Sequence, residues 1–305
     1  MKTSWEIGKP GDAELLQKIN TLPKEELSEQ HLRFLASRLR MNIVEMVYQA
    51  NSGHPGGPLG LADIYTVLAY KIMNHKPSNP EWEQRDRLLI SNGHVCAVRY
   101  SMMAMKGYFP ETELSTFRQL GSRLQGHPSS KFLPMVENSS GSLGQGLSNA
   151  GGLALGLKLR KSDSRVFLGM SDGECQEGMT WEAAMAIAHR KVTNIHPFLD
   201  WNNIQIDGNV ENVMALGDLQ KKFESFGWEV TVKDGHNLQE IEEAFAWSLA
   251  AKDAPRMILF KTVLGKGVSF MENNPDWHGS PPKEKDRDEA FIQIMRERDS
   301  LSLAS

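Results

Sequence analysis

Five short apolar runs, each closed by a cluster of Gly, Asp, Asn or His, alternate with helical patterns along this chain. That alternation restricts the fold more than any other feature. Leu88-Leu89-Ile90 ends in Ser91-Asn92-Gly93-His94, and Val166-Phe167-Leu168 ends in Ser171-Asp172-Gly173. Pro197-Phe198-Leu199 leads into Asp200-Trp201-Asn202-Asn203, and Val230-Thr231-Val232 into Asp234-Gly235-His236. Met257 to Val263 leads into Gly265-Lys266-Gly267. Helical spacing is read over 31–50, 59–73, 145–160, 180–190, 216–225 and 238–251. Strands alternating with crossover helices predict an α/β fold, a parallel sheet with helices on both faces. Ligands of such sheets bind beyond the carboxyl ends of the strands. The Gly, Asp, Asn and His clusters fall there.

Composition narrows the functional class. The formal net charge is −4 with no basic tract, so nucleic acid finds no electrostatic footing. No run approaches the roughly 18 apolar residues of a membrane span, and the polar segment 1–29 lacks the apolar core of a secretory signal. Cys96 and Cys175 lack metal-pair spacing and read as reduced, buried thiols. The expectation is a cytoplasmic protein without nucleic-acid or membrane partners. The elements follow one another without a linker, which predicts an N-terminal arm (1–29), one domain (30–282) and a polar C-terminal tail (283–305) holding a short helix from about Asp286.

Two segments suggest a metal and a phosphate. Asp172, at one strand end, and Asn202, at the next, can meet in space and offer hard oxygen ligands to magnesium or calcium. By spacing alone, Asp-Gly and Asn-Asn are equally good as unrelated turns. Gly141-Ser142-Leu143-Gly144-Gln145-Gly146 opens a small-residue helix, and amides at such a helix start suit a diphosphate. It is neither the dinucleotide G-x-G-x-x-G nor a P-loop, and tight helix packing explains it equally well.

Four of nine histidines, His54, His94, His127 and His278, each have a glycine neighbour. That pairing lets a backbone approach a ligand while the imidazole bonds to it, although any single one reads as a solvated loop residue. Zinc is a poor fit without HExxH or paired histidines. There is no G-x-S-x-G elbow for a serine hydrolase, and the fingerprint of a nicotinamide enzyme is missing.

Taken in order, Asn51-Ser52-Gly53-His54-Pro55-Gly56-Gly57-Pro58-Leu59-Gly60, Ser91 to His94, Gly126-His127-Pro128, Gly141 to Gly146, Asp172 to Gly178, Asp200 to Gly208 and Trp277-His278-Gly279 resemble the N-terminal part of the transketolase family. The resemblance spans about residues 30–282 and implies the thiamine diphosphate-binding fold. It implies that Asp172, Asn202 and the Ile204 carbonyl hold Mg2+ or Ca2+. Gly141, Ser142, Leu143, Gly173 and Asn202 resemble cofactor-binding positions, and His94 resembles the histidine at the diphosphate. His54, His127 and His278 resemble those handling sugar hydroxyl protons, and Glu177 the glutamate linking two active sites. Ser171, Leu264 and Ser129 depart from the family pattern without removing a metal ligand.

The resemblance implies transfer of a two-carbon ketol group from a ketose, a sugar phosphate or related anionic sugar, to an aldose. A full transketolase carries a second domain that supplies a glutamate to the aminopyrimidine, and none follows Trp277-His278-Gly279. The expected partner is therefore a separate C-terminal, pyrimidine-binding subunit, in an assembly with two copies of each chain. The alternatives are another thiamine diphosphate enzyme, such as a 1-deoxyxylulose-phosphate synthase or a 2-oxoacid dehydrogenase component, and a non-catalytic regulatory subunit.

Overall fold

The computed structural model describes Trp5 and residues 7–302. In chain order the helices are α1 (Asp12–Thr21), α2 (Glu29–Ala50), α3 (Gly56–Gly60), α4 (Ala62–Val67), α5 (Cys96–Met105), α6 (Gly146–Leu159), α7 (Gly178–His189), α8 (Val210–Met214), α9 (Leu219–Ser225), α10 (Leu238–Leu249) and α11 (Glu284–Ser302). The strands are β1 (Arg87–Ile90), β2 (Val166–Ser171), β3 (Ile195–Trp201), β4 (Ile204–Gln205), β5 (Gly208–Asn209), β6 (Glu229–Asp234) and β7 (Arg256–Lys261). The chain forms two compact units. No described helix is long and apolar enough to cross a membrane.

The unit that holds the sheet comprises Met73–Gly93 and His127–Thr262. Five parallel strands run in the order β1-β2-β3-β7-β6, and β4 and β5 form a separate antiparallel pair. All five expected strands are present, and all are parallel. Alternation along them fills both faces. Val166, Leu168 and Met170 join Ile195, Leu199, Met257 and Leu259 in one core with Ala150 and Ala154 of α6, Ala184 and Ile187 of α7, and Phe223 of α9. On alternate positions, Phe167, Phe198 and Phe260 pack their rings around Phe245 of α10. Since β1, β2 and β3 are sheet neighbours, the polar clusters that follow them stand side by side.

The other unit comprises the described residues up to Ile72, His94–Gly126, and those from Val263 onward. Its centre is α2, which starts at a capping box made by Ser28 and His31 and is buried along one continuous stretch from Phe34 to Val47. The helix read over 59–73 is in fact broken. A five-residue turn of helix ends at Gly60, α4 restarts at Ala62, and residues 68–72 widen into a π-type turn. The glycines there admit backbone: a Cβ on Gly56 would lie 2.7 Å from Leu264 and 2.8 Å from the Trp277 carbonyl. The C-terminal helix is longer than the short one expected, with 19 residues packed on α2. Ala290 and Ile294, four residues apart, are its buried anchor points.

Helices α1, α5 and the five-residue α8 were not anticipated. Every residue of α5 is buried, so it shows no polar face and no period to read. Helix α1 is short and buries only Asp12, Leu16 and Ile19.

Candidate cofactor and metal site

Within the sheet unit, Asp172 is the first residue beyond β2 and is 1% exposed. Its amide donates to the Asp200 carbonyl at 3.1 Å. Its Oδ1 accepts from the Gly173 amide at 2.8 Å and its Oδ2 from the Asn203 amide at 2.6 Å. No cationic side chain pairs with it among the described residues. Burial, followed by the neighbouring Asp200 charge, pushes its pKa up to about 7. A buried carboxylate held only by amides, beside a second acid, suits a cation.

The turn after β3 carries Asn202 and Ile204. Asn202 Oδ1 accepts from the Ile204 amide at 2.9 Å, and its Nδ2 donates to Asp200 Oδ2 at 3.0 Å, which turns the amide oxygen away from Asp200. Asp200 also accepts from the Thr262 hydroxyl, and burial raises its pKa to about 6. No group of three or more His, Cys, Asp or Glu side chains able to hold a metal occurs among the described residues. A lone buried carboxylate with a neighbouring amide oxygen could serve only a hard ion that takes most of its oxygens from elsewhere, such as a phosphate.

The glycine-rich segment belongs to the same unit. A Cβ on Gly144 would lie 2.6 Å from the Glu177 side chain, and one on Gly146 would lie 2.2 Å from that of Ser91. Gly144 also takes a positive φ of 82°. Glycine is thus required by close packing at these two positions. Gly141 and Ser142 stay exposed, Leu143 is half-buried, and Glu177 stands exposed at the start of α7. A cleft of about 460 Å3 runs along the segment, lined by Ser91, His127, Ser140, Ser142, Gln145 and Asn149 among others. His127 lies against Gly141, where a Cβ would sit 3.6 Å from its ring.

Three of the four glycine-flanked histidines come together in the other unit. Ring centroids are 5.3 Å apart for His54 and His94, 5.2 Å for His94 and His278, and 5.7 Å for His54 and His278. Nearly 225 residues separate His54 from His278 in sequence, yet the backbone of Gly279 passes close to His54. Burial lowers the pKa of His278, and its Nδ1 is buried without a hydrogen-bond partner. Burial thus favours the neutral form of that ring, which has an acceptor or donor to spare.

Sequence reasoning gave no role to Ser91, Glu174, Asp200 or Asn92. Glu174 is fully buried and accepts from Ser91, Gly144 and Ser171. Asn92 is also fully buried, with neither amide atom hydrogen-bonded. Their positions beside Asp172 and His94 were the only available signal.

Residues 32–297 match the family described as the transketolase thiamine diphosphate-binding domain. The chain is 35% identical to a 6-deoxy-6-sulfo-D-fructose transketolase subunit from a Clostridium species, covering 89% of this chain and 99% of that one. It is 34% identical to one of the subunits of apulose-4-phosphate transketolase from Phocaeicola vulgatus, covering 88% and 96%. Transketolase 1 from Pasteurella multocida is 39% identical, but this chain spans only 39% of its length. The crystal structure of transketolase from Campylobacter jejuni superposes with a TM-score of 0.83 at 37% identity, over 88% of this chain and 43% of that one. The expected fold and family are both borne out: the chain belongs to the transketolase family of transferases and carries its thiamine diphosphate-binding domain.

Proposed function

We propose that this chain is the cofactor- and metal-holding subunit of a two-chain transketolase, which moves a two-carbon ketol group from a ketose to an aldose. The ketose would be a sugar phosphate or a related anionic sugar. The observation that carries the reading is the buried Asp172 carboxylate, held by amides alone, beside Asn202 and the glycine-rich segment. The chain also matches nearly the full length of relatives named as transketolase subunits.

Asp172, Asn202 Oδ1 and the Ile204 carbonyl would hold Mg2+ or Ca2+, leaving coordination positions for diphosphate oxygens. Gly141, Ser142, Leu143 and Gly173 would pack on the cofactor, and His94 would donate to its diphosphate. When bound, thiamine diphosphate supplies a nucleophilic carbon and an electron sink. His54 and His278 would take and return protons at the hydroxyls of the sugar, and the burial that lowers the pKa of His278 suits it to accept one. His127 would bond to the sugar from the cleft at Gly141, and Glu177 would link two active sites of the assembly.

A second polypeptide would supply the pyrimidine-binding half. Met179, Met185, Ile206, Val213 and Met214 of the sheet unit are exposed apolar side chains that such a partner would cover. The test is calorimetry of thiamine diphosphate with magnesium on the chain, then ketol-transfer assays after co-expression with a candidate pyrimidine-binding subunit. Failure to bind the cofactor in either state would sink the reading.

A further inference from the structure

Glu174 is a carboxylate with no exposure and, among the described residues, no cationic partner. Burying such a group costs several kcal/mol unless its lone pairs are filled. Here three donors from three segments fill them. The Ser171 amide at the end of β2 donates to Oε1 at 3.1 Å, and the Gly144 amide donates to Oε2 at 2.8 Å. The Ser91 hydroxyl, just beyond β1, donates to Oε2 as well. Ser91 Oγ in turn accepts from the Gly146 amide at 3.0 Å, at the first residue of α6.

The glycine-rich segment is thus tied to the side chain two residues from Asp172 directly at the Gly144 amide and through Ser91 at the Gly146 amide. Close packing makes the connection tight, since Gly146 lies against Ser91 and Gly144 against Glu177 with no room for a Cβ. An apolar residue at 174 would fill the same volume without the desolvation cost, but it would release the Gly144 and Ser171 amides and leave Ser91 without its carboxylate partner.

We infer that Glu174, acting partly through Ser91, is a positioning residue that joins the glycine-rich segment to the Asp172 turn, so that both are set as one rigid piece before cofactor binds. This rests on the proposed cofactor-binding role of the two segments. Neither Glu174 nor Ser91 touches the cofactor in this account.

The test compares the full-length wild type with Ser91→Ala, Glu174→Gln and a control, Phe245→Leu, which loosens the core around α10. Hydrogen exchange at the Gly144 and Gly146 amides is measured without ligand, and affinity for thiamine diphosphate with magnesium is measured by calorimetry. Ser91→Ala and Glu174→Gln should speed exchange at both amides and weaken binding by ~10-fold or more, as loss of charge-assisted hydrogen bonds implies. Phe245→Leu should lower the melting temperature while leaving that exchange and affinity unchanged. Wild-type protection and affinity in Ser91→Ala, or an equal loss of affinity in Phe245→Leu, would overturn the inference. Should Glu174→Gln not fold, Ser91→Ala decides. A wild type that binds no cofactor refutes the proposed function, whereas the exchange data still judge the connection itself.

Discussion

The Asn203 amide donates to Asp172 Oδ2 at 2.6 Å, so the turn that closes β3 holds the carboxylate that closes β2. Asn203 reaches this bond in the left-handed region, at a φ of 61°. Two neighbouring strand ends are thereby joined at Asp172, and the proposed metal assignment is testable. Asp172→Ala should abolish magnesium-dependent binding of thiamine diphosphate, since it removes the charged ligand. Asn202→Ala should weaken binding less, because a neutral ligand is lost. Calorimetry at fixed magnesium reads both, and unchanged affinity in the Asp172 variant would refute the assignment.

The clustered histidines should separate binding from turnover. His54→Ala and His278→Ala, assayed with the partner subunit, should keep cofactor affinity but lower kcat with ketose donors by about 10²–10⁴-fold, the usual contribution of a general acid–base group. Wild-type kcat in both variants would make the cluster structural.

His196 carries a stability prediction. It is 2% exposed on β3, with Nδ1 3.0 Å from the Ser248 hydroxyl, and burial brings its pKa from 6.5 down to about 4. The unfolded chain therefore binds the proton more readily than the folded one between those values, and stability must fall as pH drops through the interval. The contribution is complete above pH 6.5 and amounts to on the order of 3 kcal/mol when fully lost. Denaturant melts at pH 7 and pH 4.5 should show a larger loss in wild type than in His196→Asn. Equal losses would mean that His196 is charged in the native protein.

Gly146→Ala should cost about 1–3 kcal/mol, because the added methyl overlaps the Ser91 side chain in a packed interior. Gly152→Ala, in the same helix with open space at its Cβ, should be neutral or stabilising. Chemical denaturation of the pair checks this, and equal effects would contradict the packing.

The chain by itself should show no ketol transfer, and activity should require the partner subunit. In the proposed assembly the partner would supply the carboxylate at the aminopyrimidine. Robust turnover by the purified chain, with host transketolase excluded, would overturn the two-chain reading.

Local sequence determined much of this architecture. Strands β2, β3 and β7 are short apolar runs bounded by turn residues, and α2 and α10 carry their own caps and apolar stripes, so each could be read from its neighbours in the chain. Asp172 and Asn202 stood out because they follow consecutive strands, and the four histidines because each has a glycine neighbour. Helix α5 could not be read, since burial on all sides erases periodicity. The break at Gly60 was equally hidden, because a Cβ there would meet the Val263 carbonyl, some 200 residues away, at 2.8 Å. Only tertiary structure paired Glu174 with Ser91 and Gly144, or gathered His54, His94 and His278. These contacts join residues far apart in sequence, and their energy depends on the distances and desolvation that folding creates.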